Sequence, residues 1–173
     1  MKKLHLLTST DSLRQKYSFI QVKDNFVIAT DCFKCAKFPF NEVFGNMETE
    51  ITEFYISGEN WKKCKFYNAL RLEIENGYLI GYDKKGKMGI CEIITKKDFI
   101  NKHGEFPSTD FLFDSTDQPS EIPSISFNPE KLLELCDAIG GYAFNYLFFG
   151  NHKKIMIETK NSEIKGVLMP TVY

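Results

Sequence analysis

Five cysteines provide the most distinctive side-chain chemistry in this 173-residue chain: Cys32, Cys35, Cys64, Cys91 and Cys136. Cys32 and Cys35 form a C-x-x-C pair. A structural zinc site needs a second Cys or Cys/His pair, and the three histidines stand apart from one another at positions 5, 103 and 152. A redox pair should open a helix, but the surrounding segment, residues 27–38, is typical of a strand. We predict free thiols and no metal site, and a thiol or small-ligand enzyme using Cys32 and Cys35 remains an alternative.

Residues suited to catalysis are otherwise scarce. The sequence contains no Gly-rich phosphate loop, G-x-S-x-G, H-E-x-x-H or kinase-like set of motifs. Asp31 follows a strand pattern as a lone acid. Glu130, Glu134 and Asp137 fall on the polar side of a predicted helix, where a solvated face is the simplest interpretation. Because general acid–base catalysis needs a pair within hydrogen-bond reach, we predict a protein with no catalytic residues and no cofactor.

Composition restricts the class of function. The 22 Lys and Arg nearly cancel the 23 Asp and Glu, giving a net charge of −1. This argues against a protein that grips nucleic acid by bulk positive charge, although a local basic patch is compatible with it. No window approaches ~18 continuous apolar residues, which excludes a membrane-spanning helix. The start, MKKLHLLT, lacks the ~7-residue apolar stretch of a signal peptide, and an odd number of cysteines fits free thiols. We therefore expect a cytoplasmic protein with no membrane partner.

A basic and aromatic segment, residues 61–67 (WKKCKFY), has two interpretations. Its lysines could face nucleic acid. Alternatively, the segment belongs to an ordinary amphipathic helix with Trp61 and Phe66 in the core and the lysines in water.

Capping and turn residues predict an α+β fold of antiparallel sheets with two helices. Ser57 and Asn128-Pro129 are start signals for helices over residues 58–66 and 129–139, and Asn76-Gly77 predicts a hairpin. The order strand, helix, three strands occurs twice as a β-α-β-β-β unit, and once in a truncated form at the N-terminus. The predicted strands are 4–7, two within 17–28, 33–38, 52–56, 69–74, 78–82, 88–94, 125–127, 143–149, 154–159 and 164–169.

Three stretches taken together resemble the bacterial DNA sliding clamp family, the β subunit of DNA polymerase III. Residues 29–36 (ATDCFKCA) are similar to the family's strand A-T-D-G-H-R-L-A, with Cys32-Phe33-Lys34 in place of Gly-His-Arg. Residues 104–112 (GEFPSTDFL) resemble its interdomain connector, F-P-D-Y-x-x-V-L-P. Residues 126–133 (SFNPEKLL) and 166–171 (GVLMPT) resemble its closing F-N-P helix start and its terminal M-P-M-R-L. The resemblance implies a clamp fold made of β-α-β-β-β half-domains.

The resemblance also implies a cleft for short linear peptides from polymerase or repair proteins. The residues that match the cleft are Thr30, Cys32, Phe33, Lys34, Cys35, Pro107, Leu112, Met169, Pro170 and Thr171. The helices of this family face DNA, which makes four lysines candidate contacts to double-stranded DNA: Lys62, Lys63, Lys65 and Lys131.

The main prediction is a single clamp-like unit over residues 1–173. It comprises an N-terminal part (1–100) with one helix, a connector (101–123) and a C-terminal β-α-β-β-β unit (124–173). A full clamp subunit has six half-domains, and this chain has about three. The protein would serve DNA replication or repair as a non-enzymatic processivity factor that binds peptides and, as a homo-oligomer, encircles DNA. The alternative is a stand-alone interaction or inhibitor module that keeps the peptide cleft and forms no ring.

Overall fold

Two tight turns each join a pair of consecutive strands. Asp24 and Asn25 have φ of 50° and 64°, and Asn76 and Gly77 have φ of 51° and 81°. These left-handed values belong to two-residue hairpin turns, where Asn and Gly are favoured because they tolerate positive φ. Each turn therefore folds its flanking strands into an antiparallel hairpin, as the sequence predicts.

The computed structural model describes residues 2–113, 126–140, 144–149, 153–159 and 163–170. Its α-helices are α1 (Phe40–Phe44), α2 (Gly58–Lys63), α3 (Lys96–His103) and α4 (Pro129–Ile139). Its 3-10 helices are Leu4–Leu7, Ser12–Ser18, Phe66–Asn68 and Asp110–Leu112. Its strands are β1 (Phe19–Lys23), β2 (Phe26–Thr30), β3 (Lys34–Pro39), β4 (Glu53–Ser57), β5 (Arg71–Glu75), β6 (Tyr78–Asp83), β7 (Gly86–Glu92), β8 (Ile94–Thr95), β9 (Phe144–Phe148), β10 (Ile155–Thr159) and β11 (Lys165–Leu168).

Most of the described strands form one eight-stranded antiparallel sheet, in the order β8-β4-β1-β2-β3-β11-β10-β9. Strands β5, β6 and β7 form a second sheet. The pairing of β3 with β11 joins the N-terminal part to the C-terminal unit, with Lys34 opposite Leu168 and Lys37 opposite Lys165. The antiparallel α+β architecture agrees with the prediction.

The two predicted helices, α2 and α4, share one continuous core with the inner faces of both sheets. Ser57 caps α2 by accepting a hydrogen bond from the Asn60 N–H, and Asn128 caps α4 in the same way. Trp61 and Phe66 are fully buried. The basic segment 61–67 therefore has the core-facing aromatic residues of an amphipathic helix, with its lysines outside.

The N-terminal residues correct one prediction. Leu4–Leu7 is a 3-10 helix and not a strand. Because side chains three residues apart lie above one another in a 3-10 helix, Leu4 and Leu7 point the same way, and both are fully buried in contact with α2 and α4. The Trp61 Nε1–H donates to the Lys2 carbonyl at 3.1 Å. The truncated first unit thus has the 3-10 helix Leu4–Leu7 where a strand was predicted, followed by the 3-10 helix Ser12–Ser18.

Two short helices, α1 and α3, were not predicted, and α3 extends into the predicted connector. Thr95 caps α3 by accepting a hydrogen bond from the Asp98 N–H, a local T-x-x-D signal that lies directly after a strand pattern. The predicted strand at 125–127 is wrong at Ser126 and Phe127, which are in no strand, and residue 125 lies outside the described residues.

Gly89 of β7 provides a test of the packing between α2 and the small sheet. A Cβ added at Gly89 would lie 2.8 Å from the Cys64 Cβ and 2.9 Å from the Cys64 carbonyl oxygen. Backbone atoms cannot move aside cheaply, so we expect Gly89→Ala to lower the free energy of unfolding by about 1–3 kcal/mol in urea denaturation. Lys87→Ala, at an exposed position of the same strand, should change it by less than about 0.5 kcal/mol. Equal effects of the two changes would contradict this packing.

Candidate functional site

The alternation of side chains along a strand distributes residues 30–35 over both faces of the large sheet. Thr30 pairs with Cys35, and Cys35 pairs with Val167, so these three side chains form a row across β2, β3 and β11. The row lies on the outer face, opposite Gly166, which leaves room for α4 on the inner face. All three side chains are buried.

An apolar cluster continues this row towards β9. Its members pack together on the outer face, and we call them the outer patch: Leu147, Phe149, Met156 and Val167. The registers place Met156 opposite both Val167 and Leu147, so the outer patch is continuous with Cys35. The row and the patch together make a strip that is apolar except for the Thr30 hydroxyl.

Residues 104–113, which we call the strap, cross the outer face of the sheet. Phe106 packs against Phe99 of α3 with 6.1 Å between ring centroids. Pro107 borders a cavity of about 170 Å³, whose lining includes Ile28 and Lys37. The strap therefore begins over the strands of the N-terminal part.

The strap ends over the C-terminal unit. Leu112 and Phe113 pack against the outer patch. The Lys154 Nζ donates to the Phe111 carbonyl at 3.4 Å and lies 5.0 Å from the centre of the Phe149 ring. Leu112 is thus brought to the same strip as Thr30 and Cys35.

The end of β11 meets the turn between β2 and β3. The Met169 N–H donates to the Phe33 carbonyl at 2.9 Å. The Met169 side chain is 40% exposed, and Pro170 is half-buried. The predicted site residue Thr171 lies outside the described residues.

The turn itself interrupts the strand predicted over residues 27–38, because β2 ends at Thr30 and β3 begins at Lys34. Cys32 is exposed in this turn with φ of 79°. The Phe33 ring lies under the Arg14 guanidinium at 4.9 Å and borders the inner side of the molecule. Cys32 and Phe33 therefore stand at the end of the outer strip and not within it.

Lys34 points to the inner face and is only 2% exposed. Its ammonium lies 2.6 Å from the Asp31 carboxylate and 2.8 Å from that of Glu134 on α4. Lys131 lies 3.5 Å from Asp31 and 3.3 Å from Glu134. This ion cluster ties the β2–β3 turn to α4. The predictions of a lone Asp31 and a plain solvated Glu134 are wrong. Asp31 has Lys34 as a partner three residues along the same turn, and the tertiary fold brings Lys34 to Glu134.

The carboxylates of the ion cluster stay ionised at neutral pH. Burial by itself raises the pKa of Asp31, but the Lys34 ammonium and the backbone N–H groups of Phe33 and Lys34 outweigh it, and the pKa lies below its ordinary value. Burial also raises the pKa of Glu134, and Lys34 and Lys131 again outweigh it, so that this pKa is lowered as well. The cluster therefore carries its full attraction at pH 7.

A larger cavity, of about 850 Å³, lies on the side of the large sheet where α2 and α4 pack, which we call the inner side. Lys62 and Lys131 border it, but so do several acids, among them Asp31 and Glu134. Lys63 pairs with Glu59 of the same helix at 2.6 Å. Lys65 is exposed at the end of α2 in a left-handed conformation, with φ of 53°. Of the four lysines predicted to face DNA, Lys63 and Lys131 form ion pairs with acids. Lys62 and Lys65 are exposed, as is Lys63.

The buried thiols of Cys35 and Cys91 are poorly suited to nucleophilic chemistry. Burial raises the pKa of Cys35 to about 12, and burial together with the neighbouring Cys64 thiol raises that of Cys91 to about 12. Because the thiolate is the reactive form, these two thiols are mostly protonated at neutral pH, which counts against Cys35 as a nucleophile. Among the described residues, no group of three or more His, Cys, Asp or Glu side chains could hold a metal ion. No helix in the described part of the chain is long and apolar enough to cross a membrane.

Comparisons with known proteins identify the fold. No protein-family model and no curated protein match the sequence. Among solved structures, the Bacillus subtilis DNA polymerase sliding clamp matches with a TM-score of 0.67 and 13% identity, over 98% of this chain and 60% of that one. The DNA polymerase III subunit β of Borrelia burgdorferi matches with a TM-score of 0.69 and 9% identity, over 100% and 62%. The Helicobacter pylori β clamp bound to a DNA ligase peptide matches with 0.68 and 9%, over 99% and 62%.

These matches confirm the predicted fold, because the neighbours are bacterial sliding clamps and cover nearly all of this chain. The chain has the sliding-clamp fold and spans about three fifths of the length of these clamp subunits.

The ion cluster makes stability depend on pH. Replacing Lys34 by Met leaves Asp31 and Glu134 without their main partner, and we expect a loss of about 3–5 kcal/mol in the free energy of unfolding at pH 7. In the wild type the lowered pKa values stabilise the fold above the ordinary pKa values of about 4, and this contribution is lost as the pH falls through the folded values. The difference between the two proteins should therefore shrink as the pH falls below about 4, measured by urea denaturation.

Lys131→Met is the matched control for this prediction. Lys131 contacts the same two carboxylates, but at longer distances and with a side chain that is one-third exposed. Lys131→Met should lower the free energy of unfolding at pH 7 by less than Lys34→Met does. A pH-independent difference between wild type and Lys34→Met would contradict the account of the cluster.

Proposed function

We propose that this chain is a non-enzymatic, clamp-like protein of DNA replication or repair that binds short linear peptides along its outer strip. The observation that carries the proposal is the convergence of Thr30, Cys35, Leu112 and Val167 on one apolar strip. These residues come from three distant parts of the sequence. They meet at the junction of β3 and β11, where the N-terminal part joins the C-terminal unit.

The chemistry of the strip suits an extended peptide with large apolar side chains. Clefts of this kind bind peptides through apolar anchors, and a few polar groups at the rim fix their direction. Beside the strip, such a group is the Lys154 ammonium. Thr30 and Cys35 are buried in the floor, whereas Met169 is exposed at one end. The residues of the predicted cleft on the outer face are accordingly Thr30, Cys35, Pro107, Leu112 and Met169.

Lys34 and Phe33, by contrast, act in this proposal from the other side of the sheet. Lys34 holds the turn against α4 through Asp31 and Glu134, and so fixes the position of Thr30 and Cys35. Phe33 holds Met169 through its backbone carbonyl. Lys34 and Phe33 thus contribute to peptide binding by fixing the positions of other residues.

The partners we propose are peptides of polymerase or repair proteins. The Helicobacter pylori clamp among the structural neighbours carries a DNA ligase peptide, and we extend that class of partner to this chain. A protein that tethers a partner to DNA needs no catalytic group, because it acts by raising the concentration of that partner near the template.

Encircling DNA is the second element of the proposal, and it requires an oligomer because this chain spans about three fifths of a clamp subunit. In the described part of the chain, β7 and β9 lie at the edges of their sheets, and strand edges can pair with another copy. Lys62 and Lys65 are the exposed cations we propose to face DNA.

A stand-alone interaction or inhibitor module is the second candidate function. The observation that favours it is the mixed charge of the inner side, where Lys63 and Lys131 are held by Glu59, Asp31 and Glu134. A surface whose cations are already paired attracts phosphates less strongly. Such a module would bind the same peptides as a monomer.

Peptide binding can be measured by fluorescence anisotropy with a labelled peptide carrying Gln followed by Leu and Phe anchors. We expect a dissociation constant in the micromolar range, about −8 kcal/mol, and at least a tenfold loss in the double variant Leu112→Ala plus Met169→Ala, since both ends of the strip lose apolar contact. Leu133→Ala is the control, because Leu133 is 69% exposed on α4 of the inner side and should not affect binding. Equal binding by wild type and the double variant would contradict the assigned site.

The oligomeric state separates the two candidate functions. For a clamp, we expect light scattering to give a mass that is a multiple of the 20.0 kDa chain, and retention on nicked circular DNA that is lost when the circle is cut. Lys62→Glu plus Lys65→Glu should weaken that retention at low salt. A stable monomer that binds the peptide but is not retained on DNA would instead support the module.

A further inference from the structure

The strap fills part of the outer patch with apolar side chains of this chain itself. Leu112 and Phe113 pack against Phe149, Met156 and Val167, and each of these three is at most 5% exposed. The surface that we propose to receive the apolar anchors of a partner is therefore covered, in this structure, by two adjacent apolar residues.

Among the described residues, two polar contacts at this end of the strap are long. The hydrogen bond from the Lys154 Nζ to the Phe111 carbonyl is 3.4 Å long, beyond the usual range. The ion pair between Lys37 and Asp110 is 3.7 Å long, and the Asp110 side chain is 80% exposed, a setting in which ion pairs contribute little. The helical turn Asp110–Leu112 is three residues long. In the described part of the chain, the burial of Leu112 and Phe113 thus holds this segment more firmly than these two polar contacts do.

We assign Leu112 and Phe113 different roles at the strip. Leu112 is one of the residues that we propose to line the peptide site, so we treat it as part of the wall. Phe113 follows it and packs against the outer patch, which is the floor. Phe111, on the same turn, directs its side chain to solvent with 67% exposed.

We propose that Phe113 is an internal competitor, and that a partner peptide binds by displacing it from the outer patch. This inference rests on the proposed function and adds a regulatory feature to the same site. A site that is open for only part of the time binds more weakly than its contacts allow, by the fraction that is open. The wild-type chain is accordingly a weakened binder, and any event that removes Phe113 from the outer patch strengthens it.

The test compares Phe113→Ala with the wild type, using the same labelled peptide in fluorescence anisotropy. We expect the variant to bind about three to ten times more tightly, because the floor is uncovered. Phe111→Ala is the matched control, with the same change two positions away at an exposed side chain, and its affinity should equal that of the wild type. As a second readout, an unlabelled peptide with the sequence of residues 106–113 should compete with the probe on the Phe113→Ala protein.

The outcomes separate this inference from the proposed function. Weaker or unchanged binding by Phe113→Ala, beside measurable binding by the wild type, would make Phe113 part of the wall; the inference would then be wrong and the proposed function would stand. Binding by neither protein, with both folded by circular dichroism, would overturn the proposed function and the inference together. Tighter binding by Phe113→Ala and by Phe111→Ala alike would point to general loosening of the strap and would overturn the specific role of Phe113.

Discussion

The pairing of β3 with β11 is the contact on which the rest of the molecule depends. It joins strands from opposite ends of the sequence into one sheet, and each face of that junction carries a different feature. The inner face brings the buried Lys34 ammonium to the Glu134 carboxylate of α4, and removing one partner of such a pair is costly because it leaves a charge uncompensated. The outer face aligns Cys35 with Val167 and so creates the apolar strip. A single backbone register therefore determines both the ion cluster and the candidate site.

Local signals were enough to predict most of the fold. The Asp24-Asn25 and Asn76-Gly77 turns, and the caps at Ser57 and Asn128, act through neighbouring backbone groups, so the residues themselves reveal them. Leu4–Leu7 was predicted wrongly because a four-residue apolar run fits either a strand or a helical turn. Its conformation is decided by burial against α2 and α4, which no local pattern contains.

The candidate site was predictable only in part. A resemblance to clamp sequences brought Leu112 to the same site as Thr30 and Cys35, and nothing in their spacing would have done so. Phe113, Phe149 and Met156 were missed, since their meeting depends on a tertiary contact between the strap and the C-terminal unit. Lys34 was assigned to the peptide cleft although it points to α4. The reason is that the turn at Asp31–Phe33 interrupts the alternation of side chains between the two faces of the sheet.

The N-terminal segment has a consequence for the order of folding. The Lys2 Nζ donates to the Ile139 carbonyl, and Lys3 pairs with Asp137, so these two residues are held by residues 137 and 134 positions later in the sequence. Closing such a long loop lowers the chain entropy before these contacts can form, and this unfavourable step slows folding. During synthesis Leu4 and Leu7 stay uncovered on the α4 side, as does the β3 edge that awaits β11. A nascent chain in that state exposes apolar surface and an open strand, the features that attract chaperones and promote aggregation.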